Sequence, residues 1–205
     1  MLSISSTIIQ DIDRLCKSGL ASLAFFYCDF RDDQKQDRRG LISSILVQLC
    51  VLSNSYSNIL SDFYSAHYHG LRHASDGELL KCLEDILRLP GPSPIYIIVD
   101  ALDECTKSSG MPSRREKVLA LVEELVELAL PNLRICVTSR PEADIEARLC
   151  RLTFRTVSLH DERSQTRDIL DYVTSVVNSD PKIQSWRAED KERVIKVLYE
   201  KADGM

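Results

Sequence analysis

A near-continuous apolar run that ends on three carboxylates within five positions constrains this chain more than any other stretch: Pro94-Ile95-Tyr96-Ile97-Ile98-Val99-Asp100-Ala101-Leu102-Asp103-Glu104. Ile95 to Val99 shows no polar alternation, so the pattern predicts a strand covered on both faces, as in a parallel sheet sandwiched by helices. In such sheets ligands sit beyond the carboxyl ends of the strands, which is where Asp100 falls. Asp103 and Glu104 follow on the turn and Ala101 leaves room for a neighbouring group. Several oxygens are thereby expected around one hard cation such as Mg²⁺. A plainer use of an acid after a strand is to cap the next helix, but capping needs one carboxylate rather than three.

The remaining sequence reads as strands alternating with helices. Ile4, Ile8, Ile12 and Leu15 recur on one helical face, with Gly19 as a C-cap. Ser22 to Asp29 is a second unalternating apolar run, followed by a charged loop, Phe30 to Arg39. Helical spacing returns from Leu41 to Leu52 and again around Ile59 to Tyr68. Ser75-Asp76-Gly77-Glu78 has the form of a capping box ahead of Leu79, Leu80, Leu83, Ile86 and Leu87. A helix is expected from about Arg115 to Leu130, with Glu123, Glu124 and Glu127 as a solvated face. Leu133 to Arg140 reads as a strand, Pro141 to Leu149 as a short helix, and Thr153 to Leu159 as an edge-side strand. Two amphipathic helices follow, roughly 163–178 and 188–201. The fold class expected is a three-layer α/β domain with a parallel sheet.

Composition excludes some functions. At 205 residues and 44% hydrophobic content the chain suits one ordinary α/β domain. Its 26 basic and 31 acidic side chains give a net charge of -5, and the basic residues are scattered, which argues against a nucleic-acid partner. Seven cysteines without a Cys-x-x-Cys pair, mostly inside apolar patterns, read as free thiols of a reducing compartment. No stretch reaches the ~18 apolar residues of a membrane span and no signal peptide opens the chain, so a cytoplasmic protein with no membrane partner is expected. His67, His69 and His73 lack a Cys or acid partner at a metal-binding offset and read as surface histidines.

The order of strand, acid cluster, helix, strand and Thr138-Ser139-Arg140-Pro141 resembles the NACHT-type NTPase domain of signal-transducing P-loop ATPases, in the form found in large fungal proteins and in nephrocystin-like N-terminal domains. Ile97 to Glu104 is similar to the Walker B segment of that family, and Val137 to Pro141 to its sensor strand. The resemblance implies that Asp100 holds the Mg²⁺ shell and that Asp103 and Glu104 polarise the attacking water. It implies further that Ser139 and Arg140 face the nucleotide, ATP or GTP, with Arg140 reporting on its γ-phosphate. A salt bridge from Arg140 to the acid cluster is the alternative use of that side chain. Protein partners or attached repeat domains in a longer protein, and an oligomer on activation, follow from the same resemblance.

One departure from the family pattern stands out. Gly-x-x-x-x-Gly-Lys-Ser/Thr, whose amides and lysine surround the β- and γ-phosphates, does not occur in the sequence. The first helix is similar to the one that directly follows this loop, and residues 201–205 to the approach to a helical lid. The expectation is therefore an incomplete domain that lacks the central first strand and the phosphate loop, and that neither binds nor hydrolyses nucleotide by itself. A non-enzymatic scaffold remnant, or a metal-dependent phosphoesterase using the acid cluster, are the competing functions.

Overall fold

The computed structural model describes residues 4–91, 93–107, 112–157 and 163–201. It divides into two compact units, residues 1–152 and 153–205. The first unit is built on three parallel strands, β1 (Ser22–Tyr27), β2 (Ile95–Asp100) and β3 (Leu133–Val137), in the order β1-β2-β3. β2 lies between the other two, pairing Tyr27 with Asp100 on one side and Val99 with Val137 on the other. Its central residues Ile97, Ile98 and Val99 are fully buried, as their unbroken apolar run requires.

Helices cover the sheet. Ala24 and Phe26 of β1 and Ile95, Ile97 and Val99 of β2 share one pleat face, and they join a core with α2 (Arg38–Leu52), α4 (Asp76–Leu87) and α5 (Arg114–Glu127). On the opposite face lies α1 (Ile4–Lys17), which packs on β1 and β2 and buries Ile12. Gly19, at φ 71°, ends α1, with its N–H on the Cys16 carbonyl at 2.9 Å, a conformation that a residue with a Cβ would resist. Fully buried Leu41, Ile45, Leu83 and Ile86 each contribute about 1.5–3 kcal/mol by leaving water.

Capping residues fix where the helices begin. Asp37 accepts the Gly40 N–H at 2.6 Å and starts α2 three residues ahead of the apolar spacing. Ser113 and Glu116 form a capping box for α5 that the apolar spacing alone did not mark. The expected box at α4 is present. Its Glu78 Oε2 accepts from the Ser75 N–H and hydroxyl, each at 2.8 Å. The backbone bond first, then the hydroxyl and the Arg72 guanidinium, hold the Glu78 carboxyl down to about 2. Because the folded pKa lies below the unfolded one, the stability Glu78 lends is complete above its ordinary 4.5 and is lost as pH falls through about 2. A carboxyl ¹³C NMR titration is expected to place its midpoint near 2, and Ser75→Ala should raise it. A midpoint at the ordinary value would show that the box does not hold the charge.

Four sequence expectations are corrected. Thr153 to Val157 forms no strand, and residues 158–159 lie outside the described residues. Phe154 and Val157 are exposed, and alternation without a neighbouring strand to pair with gives a segment no ladder. His67 is buried rather than on the surface, only 8% exposed. It caps α3 (Asn54–Ala66), stacks on Phe63 at 4.2 Å and donates from Nδ1 to the Phe63 carbonyl at 2.7 Å. The following turn puts Tyr68 and His69 at positive φ, so the expected single helix to residue 68 breaks there. Glu123 and Glu124 are not simply solvated: Glu124 takes both nitrogens of Arg38 at 2.9 and 2.7 Å, and Glu123 pairs with Arg148 of α6 (Ala143–Leu149). Cys28, Cys50, Cys82 and Cys105 are buried free thiols, as expected, while Cys150 is exposed.

In the second unit, α7 (Arg163–Ser179) and α8 (Ala188–Lys201) pack on each other, close to the expected bounds. No helix among the described residues is long and apolar enough to cross a membrane.

Candidate functional site

The carboxyl ends of all three strands converge at one rim. Asp100, the last residue of β2, faces α1, and its Oδ1 accepts hydrogen bonds from the Ser5 hydroxyl and the Thr138 hydroxyl. Thr138 lies just past β3, so one carboxylate oxygen joins three elements. Next along the chain, Ala101 occupies the left-handed region (φ 54°, ψ 48°). Alanine still bears the Cβ that makes this region cost ~1–2 kcal/mol, and a larger or β-branched side chain would add to that cost. Its N–H donates to Thr138 Oγ1 at 3.1 Å, and the Leu102 N–H to the Thr138 carbonyl at 3.0 Å. The acid turn, a short 3-10 turn over Leu102–Glu104, is thus stitched to the segment after β3.

Asp103 and Glu104 have different surroundings. The Asp103 side chain is 9% exposed, and its Oδ1 accepts the Arg140 N–H at 3.0 Å. The Arg140 guanidinium lies 3.6 Å from Asp103 Oδ2 yet is 83% exposed. The loose ion pair expected as the alternative role of Arg140 is therefore present, and its head group is accessible from solvent. Glu104 Oε2 accepts the Phe30 N–H at 3.3 Å, which ties the acid turn to the loop after β1. Ser139 is exposed between Thr138 and Arg140. All five sequence-predicted site residues, Asp100, Asp103, Glu104, Ser139 and Arg140, thus lie on two adjacent rim segments. Among the described residues, however, no three His, Cys, Asp or Glu side chains form a metal-holding group. Asp100, Asp103 and Glu104 therefore do not gather into the shared cation shell expected from the sequence.

Behind the acid turn lie groups that sequence reasoning missed. Cys28, which follows β1, and Cys105, which follows the acid turn, are both buried. The neighbouring Cys105 thiol and then burial push the Cys28 thiol well above its ordinary value. Arg115 is 5% exposed, donating from Nε to the Cys105 carbonyl at 2.8 Å and from Nη2 to the Asp103 carbonyl. Its Nη1 reaches Glu142 Oε2, and Asp144 Oδ2 at 3.4 Å. Lys107 holds the same two carboxylates at 2.8 and 2.9 Å. Hydrogen bonds from Lys107 and then Arg115 keep the Glu142 carboxyl below its usual range. A signal for Arg115 exists in the sequence: it falls in phase with Val118, Leu119 and Val122, where a core residue is due. Ser5, a small polar residue, carries no such signal, and Thr138 is marked only as part of the Thr138-Ser139-Arg140-Pro141 segment, not as a partner of Asp100.

Residues 3–140 match the family model described as Nephrocystin 3, N-terminal, an extent that runs from α1 through Arg140. Neither the curated proteins nor the solved structures yielded a match.

Proposed function

The chain belongs to the nephrocystin 3 N-terminal family, and on that premise we propose that its first unit is a nucleotide-dependent signalling switch of the NACHT-type P-loop NTPase kind, acting on Mg²⁺ with ATP or GTP. The observation that supports this reading best is the joining of Asp100, Thr138, Asp103 and Arg140 across the ends of two neighbouring parallel strands. Asp100 offers a cation the oxygen that the two hydroxyls leave, Oδ2. Mg²⁺ usually takes only one or two carboxylates and completes its shell with phosphates and water, so a single Asp suits it. The exposed Arg140 fork suits a phosphate oxygen.

The surroundings divide the roles of the two other acids. Glu104 is the better group to orient an attacking water, because its one described bond is a long one to an amide. Asp103 acts through Arg140, whose amide it holds. In a chain extended at its N-terminus by a strand and a Gly-x-x-x-x-Gly-Lys-Ser loop, Glu104→Gln is expected to slow triphosphate hydrolysis roughly 10²-fold with nucleotide affinity unchanged. Asp103→Asn should instead weaken the preference for triphosphate over diphosphate. Equal losses of binding and hydrolysis in Glu104→Gln would count against the water-orienting role.

The competing reading for the 205 residues by themselves is a non-enzymatic interaction module for protein partners. Calorimetry separates the two. Micromolar Mg²⁺–nucleotide binding by the extended chain and none by the 205 residues supports the switch, and none by either supports the interaction module.

A further inference from the structure

We propose that Arg115 is a positioning residue that locks the acid turn to the segment behind Arg140, so that the two rims of the candidate site shift as one body. Its purpose rests on the nucleotide-switch reading, but its geometry does not. Arg115 sits at a core position of α5, where an apolar side chain would cost nothing in desolvation, whereas a buried guanidinium is tolerated only if its donors are satisfied. Those donors are spent in two directions. Nε and Nη2 take the carbonyls of Cys105 and Asp103, the backbone of the acid turn itself. Nη1 takes Glu142 and Asp144, which stand two and four residues beyond Arg140. A planar fork can serve both directions at once and a lysine ammonium cannot reproduce it.

The two segments also meet directly, through the Leu102 N–H on the Thr138 carbonyl and the Arg140 N–H on Asp103 Oδ1, both at 3.0 Å. These two amides report whether the segments are held together. Arg115 fixes both from behind, so a displacement of Arg140 by a bound phosphate would pass to the backbone of Asp103 and Glu104 without slack. Lys107 pairs with the same carboxylates, so Glu142 and Asp144 retain a cation when Arg115 is replaced.

Amide hydrogen exchange on the 205-residue chain tests the claim with Arg115→Lys and Arg115→Met. In both variants the Leu102 and Arg140 amides are expected to exchange about tenfold faster, the worth of one hydrogen-bonded contact, while Ile97 and Val99 stay within about twofold. Unchanged exchange at Leu102 and Arg140, uniform acceleration through β2, or full rescue by lysine would each overturn the proposal. If the methionine variant does not fold, the lysine variant decides. In the N-terminally extended chain, Arg115→Lys should lower triphosphate hydrolysis about tenfold with nucleotide affinity retained, and loss of affinity alone would contradict coupling. An extended wild-type chain that binds no nucleotide removes the switch reading, and the exchange result still decides the role of Arg115.

Discussion

Alanine at Gly40 is expected to destabilise the first unit by about 1–3 kcal/mol or more, the range for forcing extra atoms into a packed site. A Cβ there would lie 1.8 Å from the Gln34 carbonyl oxygen and 3.0 Å from its carbon, and backbone atoms cannot rotate away as a side chain would. The Gly40 N–H is also the group that Asp37 caps at 2.6 Å, so the first turn of α2 would shift with it. The displaced segment includes the 3-10 turn Asp33–Lys35. Gln36 binds that loop to itself, through the Phe30 carbonyl at 2.9 Å and that of Asp32 at 3.3 Å, and Phe30 in turn meets Glu104. Chemical denaturation should show a lower midpoint with the slope unchanged. Gly77 is the control, since it too lies inside a helix but has no packed neighbour within 4 Å of the place a Cβ would take. There alanine should stabilise by up to about 1 kcal/mol. Equal stability of Gly40→Ala and wild type would mean that the loop yields freely.

The largest functional effect is expected at Asp100. In the N-terminally extended chain, Asp100→Asn should keep an acceptor for Ser5 and Thr138 and so fold normally, yet lose the charge that holds Mg²⁺. Triphosphate hydrolysis is expected to fall roughly 10²–10³-fold, the scale set by removing one preorganised electrostatic group. The Mg²⁺-dependent part of nucleotide affinity should vanish with it. Asp100→Ala would add a folding penalty of about 1–3 kcal/mol, because two hydroxyls lose their acceptor at a partly buried site. An Asp100→Asn protein whose affinity still rises with Mg²⁺ would place the cation elsewhere.

Several elements were legible because a single local cause produces them. β2 was marked by an apolar run whose burial on both faces leaves no room for polar alternation, and its end by the acid cluster. α4 was marked by a capping box followed by leucines at helical spacing. Thr153 to Leu159 shows the limit of such signals. Alternation states which side of a strand is apolar, but a strand exists only where another offers its hydrogen bonds, and the described part of this segment has none. His67 misled for a related reason. Its burial comes from stacking on Phe63 and capping α3, a local arrangement that histidine spacing does not encode.

The sequence by itself determined the parallel strands at 22–27, 95–100 and 133–137, the helical cover and the placing of five polar residues at strand ends, because periodicity and a strand end act over a few residues. The strand it also marked at 153–159 did not form over the described residues. Only the tertiary structure decided how those residues divide their work. Asp100 takes two hydroxyls from elements 95 and 38 residues away, Asp103 holds the Arg140 amide, Glu104 turns to Phe30, and Arg115 binds both rims from a core position. Each of these is a contact between segments that only the packed sheet brings within hydrogen-bonding reach, and hydrogen bonds, unlike hydrophobic periodicity, leave no repeating trace along the chain.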